Sequence, residues 1–510
     1  MQEEKRFAVN LVAKTMSLVL NLMISFFLTP FIIRHVGTES YGFVGLANDV
    51  VDIARIASVA LNSMALRFIA VSLHRGDTEQ ANRYFSSVMI VNFMLSAVLI
   101  LPFGGMILFL DKLFAVSGHI LSDVRLLWSF VFVNFLLTVA GSTFSVALFA
   151  KNRIDKESFR SAESVAIRAV FLFLCYSFLT PKVYYVGISY CVLTVYVLCT
   201  NLYYTKLYLP ELKLSRTYFD KKAIGTLLSS GGWNCLTKVA TILSTGLDLL
   251  FVNLFVGKLE MGVVSISKTM PATVLSVFVI LSGVFLSKLT EDYSKENREN
   301  MMKNTVFSVK LLGLLSAIPI IAVGVFGDVF YTLWTPTEDA HLLWLLSIAG
   351  GASYVVSLST QNLWNIFTVT NRVKLSSAGL VISAAASVLT VLLSMLLISN
   401  PLMRIFLIVG CSAFYNLLLS ITFLPIQAAK CLNIPKKTFY APILQSLLLL
   451  AISCAFFGFI KGIIPISTWI GFVLMFAVIC LCTLTLGFLL LFRKSEKQAL
   501  IAMLHKNKQL

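Results

Sequence analysis

The sequence predicts an all-α polytopic membrane protein of about fourteen transmembrane helices, built as two parallel six-helix lobes plus two extra C-terminal helices. Three observations carry that prediction. Apolar residues make up 58% of the 510 residues and charged ones only 13%, against roughly half and a quarter in soluble domains. The apolar residues fall in blocks of about 20, the length that crosses a hydrocarbon core. The chain also repeats itself at an offset near 220.

The blocks lie near 8–33, 42–71, 86–110, 121–150, 161–180, 183–205, 223–256, 260–288, 304–330, 341–370, 373–399, 402–429, 441–460 and 465–492. The first is too long for a cleaved signal and is interrupted by Asn and Lys, so it reads as a retained helix. The divisions at Pro181 and at Asn371–Lys374 rest on the weakest breaks. With an even count both termini share one side, and basic loop residues choose it. Cytoplasmic termini place 27 Lys and Arg in inner loops and seven in outer ones, the latter being Arg34, Lys112, Arg125, Lys182, Lys258, Arg404 and Lys461. That asymmetry accounts for most of the +17 net charge. The basic residues are spread over many short loops, which argues against nucleic acid as a partner.

The repeat orders the chain. "VGTESYG" (36–42) matches "VGKLEMG" (256–262), the two "LSA" segments at 95–97 and 315–317 keep the same offset, and "KNRI" (151–154) matches "TNRV" (370–373) one residue off. Six helices separate equivalent positions, so the halves share one orientation, the parallel-repeat arrangement of some transporters. The expected organisation is an N-lobe over 1–205, a basic cytoplasmic linker over 206–222, a C-lobe over 223–430, two further helices over 431–492 and a basic tail over 493–510. No connection is long enough to house a conventional active site, and no phosphate-loop motif is present. The nine cysteines are odd in number and mostly lie in apolar segments, so they read as small buried hydrophobes rather than metal ligands. No cofactor is implied.

Polarity inside the apolar blocks is organised. Asn48, Asp52, Arg55 and Asn62 fall on one stripe of the second helix. Asn234, Lys238, Thr241, Thr245 and Asp248 repeat that spacing in the seventh, and Asn10, Lys14, Ser17 and Asn21 in the first. Arg55 and Lys238 each lie about 20 Å into their helices at 1.5 Å per residue. A basic side chain at the bilayer centre costs roughly 2.5–3.5 kcal/mol. Four such residues facing lipid, Lys14, Arg55, Lys238 and Lys268, would cost on the order of 10 kcal/mol, comparable to a domain's stability. The stripes therefore face a hydrated chamber, with Asn21, Asn48, Asn234, Thr241 and Thr245 as polar lining. Other readings stand beside this one. Arg67 and Lys310 lie near inner helix ends and can snorkel. Asp52 and Arg55, at i and i+3, equally fit a structural ion pair. Asp248 can balance Lys238, although ten residues put them about 15 Å apart along one helix. Pro271, just after Lys268, can kink its helix.

Bases outnumber acids in these stripes, so the expected guest is an anion held by charge-assisted hydrogen bonds. The start "AKTMSLVLNLMISFFLTPFIIRHVGTESYGFVGL", and within it the pattern PFIIRxxGxExYG (Pro30–Gly42), resembles the N-terminal signature of polysaccharide flippases, the Wzx-type repeat-unit translocases. They belong to the superfamily that includes the MATE exporters and lipid II flippases. The resemblance extends to length, helix number and the six-plus-six repeat. It implies a protein of the bacterial cytoplasmic membrane that moves undecaprenyl-diphosphate-linked oligosaccharides from the inner to the outer leaflet by alternating access. The product would be lipopolysaccharide, capsule or exopolysaccharide. It further implies a cation-lined cavity, matched by position at Lys14, Arg55, Lys238 and Lys268, and coupling to H⁺ or Na⁺, for which Asp52 and Asp248 are the candidates. Implied partners are the lipid-linked anionic oligosaccharide, membrane lipid, and a polysaccharide polymerase or chain-length regulator. No bond is made or broken, so no catalytic residue is expected. A MATE-type exporter would share the architecture but favour acids in the chamber. A membrane-embedded polymerase would need a larger extramembrane loop.

Overall fold

A computed structural model of the protein describes residues 2–492 and 496–497, with side chains described at 13, 14, 16–286, 288–492 and 496–497. The side chain of Asn10 and most of the basic tail 493–510 lie outside the described residues. The described chain is helical throughout: α1 (Gln2–Val36), α2 (Thr38–His74), α3 (Thr78–Leu108), α4 (Leu121–Gly141, continued in short turns to 150), α5 (Ile154–Phe178) and α6 (Tyr184–Tyr208) come first. Then follow α7 (Lys221–Thr245, with a short helix Asp248–Phe255 after it), α8 (Lys258–Ser294), α9 (Arg298–Trp334) and α10 (Ala340–Gly351). The last are α11 (Val373–Leu397), α12 (Pro401–Leu418, continued to 432), α13 (Tyr440–Ile463) and α14 (Trp469–Leu491).

Thirteen of these segments are long and apolar enough to cross a membrane among the described residues. The expected tenth span differs. It breaks into Ala340–Gly351, a turn at Tyr354–Ser357 and Leu363–Val369. Gly350 and Gly351 weaken the helix, and the polar run after them bonds elsewhere. Ser359 and Thr360 hydroxyls donate to the Val356 carbonyl at 2.8 and 3.0 Å, and the Asn362 amide donates to Ser308 Oγ at 2.6 Å. Such side chains offer the backbone alternatives to helical bonding.

The outward side chains fit a lipid solvent. Leu101, Phe178, Leu396 and Leu397 are each about four-fifths exposed or more. In water, apolar patches of this kind drive association. The protein is a multi-pass membrane protein.

The repeat is written into the helix boundaries. Helices α2 and α8 are both 37 residues long and start 220 residues apart. Helices α5 and α11 are both 25 residues long and start 219 apart. Asp77 and Asn297 cap α3 and α9, each accepting from the backbone N–H three residues on. Left-handed conformations recur at Gly76 and Glu296, and at Asn152 and Asn371. The glycines of the 36–42 and 256–262 segments face each other. A Cβ on Gly42 would lie 2.8 Å from Gly262 Cα, and one on Gly262 would lie 2.3 Å from the Thr38 carbonyl oxygen. The matched glycines are thus a point of backbone contact between α2 and the start of α8.

The chain falls into two compact units divided between Ser265 and Ile266. In the first, α7 packs along α2, α1 on α5, and α4 on α6. A core of Leu61, Ile69, Phe85, Val88, Ala147 and Leu227 joins the ends of these helices. The basic linker is bolted down. Asn82 of α3 donates to the Glu211 carbonyl and accepts from Lys213 N–H, while Ser86 and Ser87 bond the backbone of Lys213 and Asp220.

In the second unit, α9 packs against α13, α14 and α10. Pro271 has no N–H to offer the carbonyl of Ser267 one turn earlier. That carbonyl accepts instead from Ser347 Oγ at 2.9 Å, with Tyr331 Oη 3.5 Å away. Lys310 does not snorkel. It is buried, and its ammonium donates to both carboxylate oxygens of Glu496 at 3.0 and 2.8 Å. Removing one partner of a buried pair leaves an uncompensated charge, at about 3 kcal/mol or more. Glu496→Gln is therefore expected to lower the melting temperature of the detergent-purified protein, and Lys310→Met with Glu496→Gln to recover most of the loss. A single variant as stable as the parent contradicts the pairing.

Candidate functional site

Three stripe residues meet in the first unit. Asp52 and Arg55 stand one turn apart on α2, and the Arg55 guanidinium approaches Asp52 Oδ1 at 3.3 Å. From α7, the Lys238 ammonium donates to Asp52 Oδ2, also at 3.3 Å. Arg55 lies 17 residues into α2 and Lys238 17 residues into α7, which is about 26 Å along each axis. The group is central along α2 and along the apolar span Lys221–Phe255 that α7 begins.

The helices come together because small residues permit it. A Cβ on Gly231 would sit 1.8 Å from the Ala60 carbonyl oxygen and 2.9 Å from Ser63 Oγ. One turn on, the Cys235 thiol lies 3.7 Å from the Ile56 carbonyl. A further step of three residues reaches Lys238. The glycine contact therefore positions Lys238 against the carboxylate on α2.

One carboxylate and two cations leave a net charge of +1. Their side chains keep 40, 48 and 26% of their exposure for Asp52, Arg55 and Lys238. The two cations are not fully engaged by Asp52 and retain donors for a second anion. A guanidinium carries five N–H donors and an ammonium three. The insertion cost given above predicts water rather than acyl chains around these exposed atoms.

The other predicted residues are distributed. Lys14 is exposed on α1. Lys268 is half-buried on α8 in the second unit, three residues before Pro271. Asn48 is exposed, and its amide donates to the Val44 carbonyl at 2.9 Å. Asn21 donates to Ser17 Oγ at 3.4 Å. Thr241 and Thr245 are exposed and donate to carbonyls one turn back in α7, at 3.0 and 3.2 Å, and Asn234 is half-buried. Asn62 turns away from Asp52. It exchanges hydrogen bonds with the fully buried Asn92 at 2.9 and 3.2 Å and accepts from Ser142 Oγ. Asp248 is buried at the first turn of the short helix after α7. The break at Gly246–Leu247 ends the predicted stripe there, and Lys238 pairs with Asp52.

A second polar seam runs between α5 and α6. Arg160 bonds Glu163 at 2.6 Å and Tyr196 Oη at 3.0 Å, and Tyr196 Oη also donates to Glu163. Arg168, deep in α5, reaches Ser189 Oγ at 3.3 Å and lies 4.3 Å from the Tyr190 ring centroid. Arg168 falls inside the fifth apolar block of the sequence, whereas Lys156 and Arg160 precede it and count there as loop residues, although α5 begins at Ile154. No local pattern of the sequence pairs Arg160 with Tyr196 or Arg168 with Tyr190. Outside the spans, the hydrogen bond to Asp123 at 2.9 Å holds the Lys182 ammonium above the usual lysine range.

Comparison with known proteins adds three findings. The family model described as "Polysaccharide biosynthesis protein" matches residues 7–284. A curated relative, the uncharacterized membrane protein EpsK of Bacillus subtilis (strain 168), is 26% identical over 503 residues, covering 99% of each chain. Among solved structures, the lipid II flippase MurJ in an inward closed conformation superposes with a TM-score of 0.67 at 14% identity, over 94% of this chain and 98% of that one. An inward-facing multidrug resistance MATE family transporter of the MOP superfamily gives 0.62 at 13% identity, over 83% and 98%. At such identities these two matches show a shared fold.

Proposed function

We propose a function for this chain from the family to which it belongs, the polysaccharide biosynthesis proteins: it is a flippase for a lipid-linked anionic oligosaccharide. The observation that carries the reading is the Arg55–Asp52–Lys238 group, a partly exposed cluster of net positive charge deep within its helices. A diphosphate linking a polyprenyl tail to sugars matches it chemically, offering several acceptor oxygens to guanidinium and ammonium donors. Hydroxyls and amides on the same helices, at Thr241, Thr245 and Asn234, suit the first sugars.

The proposed cycle takes undecaprenyl-diphosphate-linked repeat units at the inner leaflet of the bacterial cytoplasmic membrane and releases them at the outer one. The lobes 1–205 and 223–430 rock about the site while the tail stays in lipid. Both termini face the cytoplasm, as the basic loops favour. A polymerase or chain-length regulator would take the product into lipopolysaccharide, capsule or exopolysaccharide. The name of MurJ, a lipid II flippase, supports a lipid-linked substrate for this fold. Against an exporter of organic cations stands the occupancy of Asp52, whose two carboxylate oxygens are each engaged by a cation.

The test is reconstitution. Proteoliposomes bearing the full chain and an undecaprenyl-diphosphate oligosaccharide with a fluorescent sugar are expected to expose the label to an external quencher progressively faster than empty liposomes. Equal rates would contradict the reading. In the same assay with a proton or sodium gradient, Asp52→Asn and Asp248→Asn separate the two coupling candidates. Gradient-driven transport left intact by both removes carboxylate coupling from the account.

A further inference from the structure

Arg67 of α2 and Arg75, which caps its C-terminal end two turns on, line a cavity of about 540 Å³ with Ser72 of α2, Gln80 and Tyr84 of α3 and Ser230 of α7. Both guanidiniums are exposed, and among the described residues neither is ion-paired. The one carboxylate in the lining, Asp77, spends an oxygen capping α3 by accepting from Gln80 N–H at 2.9 Å.

The repeat shows that this imbalance is particular to the first half. The equivalent end of α8 carries Lys295 where α2 carries Arg75, 220 residues earlier. Lys295 is paired with Glu291 at 2.6 Å, and Lys288 with Glu291 and Asp292. The positions equivalent to Glu291 and Asp292 in α2 are Val71 and Ser72. The cavity at that end of the second unit is lined by two residues of each sign, Arg298 and Arg372 with Asp292 and Glu296. The end of α8 neutralises its lysines, whereas the end of α2 leaves Arg67 and Arg75 open.

Helices α2 and α7 also carry the Arg55–Asp52–Lys238 group, and Arg67 is 12 residues, about 18 Å, from Arg55 along α2. We propose that this cavity receives the phosphate-bearing headgroup of the lipid-linked substrate at the cytoplasmic mouth, before it reaches the central group. The proposal rests on the flippase reading for the identity of that lipid. It adds a second anion site with its own residues.

Isothermal titration of the detergent-purified full chain tests it, with inorganic pyrophosphate and farnesyl diphosphate as probes. An Arg55→Ala/Lys238→Ala background removes the central group, so that the cavity alone is read. Adding Arg67→Gln and Arg75→Gln is expected to weaken pyrophosphate binding by about tenfold or more, since two charge-assisted donors are lost. Arg67→Lys with Arg75→Lys keeps the charge and is expected to keep binding. Val71→Glu installs the second half's carboxylate one turn from Arg75, at a position 41% exposed and so tolerant of change, and is expected to weaken binding as the glutamines do. Pyrophosphate binding unchanged by both the glutamine pair and Val71→Glu overturns the site. Displacement of farnesyl diphosphate by an equal concentration of phosphatidylglycerol in vesicles reassigns the cavity to bulk lipid, which also overturns it. Failure of reconstituted transport, with pyrophosphate binding intact, would instead strike the flippase reading alone.

Discussion

Replacing Arg55 and Lys238 together by alanine is expected to abolish surface polysaccharide while the protein accumulates in the membrane at its normal level. Each cation supplies charge-assisted hydrogen bonds worth about 1.5–3 kcal/mol. Losing both weakens capture of a diphosphate by about two orders of magnitude or more. The fold should survive because Asp52, left alone, is 40% exposed and can be hydrated. The single variants are informative in order. Lys238→Ala removes the less exposed cation, which links α7 to α2, and should cost more than Arg55→Ala. Surface polysaccharide is read by immunoblot or lectin binding against protein level. Unchanged polysaccharide in the double variant removes the central group from the mechanism.

Gly231→Ala is expected to have the largest effect on stability of any single methyl addition in α7. Its new Cβ would meet the backbone carbonyl of Ala60 at 1.8 Å, where van der Waals contact begins near 3.4 Å. Backbone cannot rotate away as a side chain can, so the helices must separate. Overpacking typically costs about 1–3 kcal/mol, and here the displaced atoms hold Lys238 against Asp52. Gly232→Ala is the control one residue along. Nothing lies within 4 Å of its Cβ, and the change raises helix propensity by about 1 kcal/mol. Thermal unfolding followed by fluorescence-detected gel filtration should show Gly231→Ala unstable and Gly232→Ala at or above the parent. Equal stability of the two contradicts the close crossing of α2 and α7.

The pattern of the chain reveals some of this and hides the rest for identifiable reasons. Helical periodicity places Asp52 and Arg55 on one face, and the insertion cost of cations predicts water around them. Both inferences use spacing alone. The pairing of Lys238 with Asp52 spans 186 residues and depends on a glycine contact that no local pattern encodes. Asn62 shares the stripe with Asp52 yet bonds Asn92, because a stripe of 14 residues is wide enough to serve two neighbours. Asp248 fails as a partner for Lys238 because α7 ends at Thr245. The tenth block reads as a span by hydropathy, whereas its glycines and hydroxyls break it. The repeat, by contrast, is legible in its matched segments, whose offsets of 220 and 219 return as the offsets between the starts of α2 and α8 and of α5 and α11.

Solvent access to the central group tests the account most directly. In a chain whose nine cysteines are replaced, Lys238→Cys, Thr241→Cys and Leu396→Cys can each be exposed to a charged, membrane-impermeant thiol reagent in membrane vesicles open on both sides. The account predicts rapid labelling at 238 and 241 and none at 396, with labelling at 238 slowed by added pyrophosphate. Labelling at 238 as slow as at 396 would mean that the cation faces acyl chains, and no chamber for a diphosphate would remain.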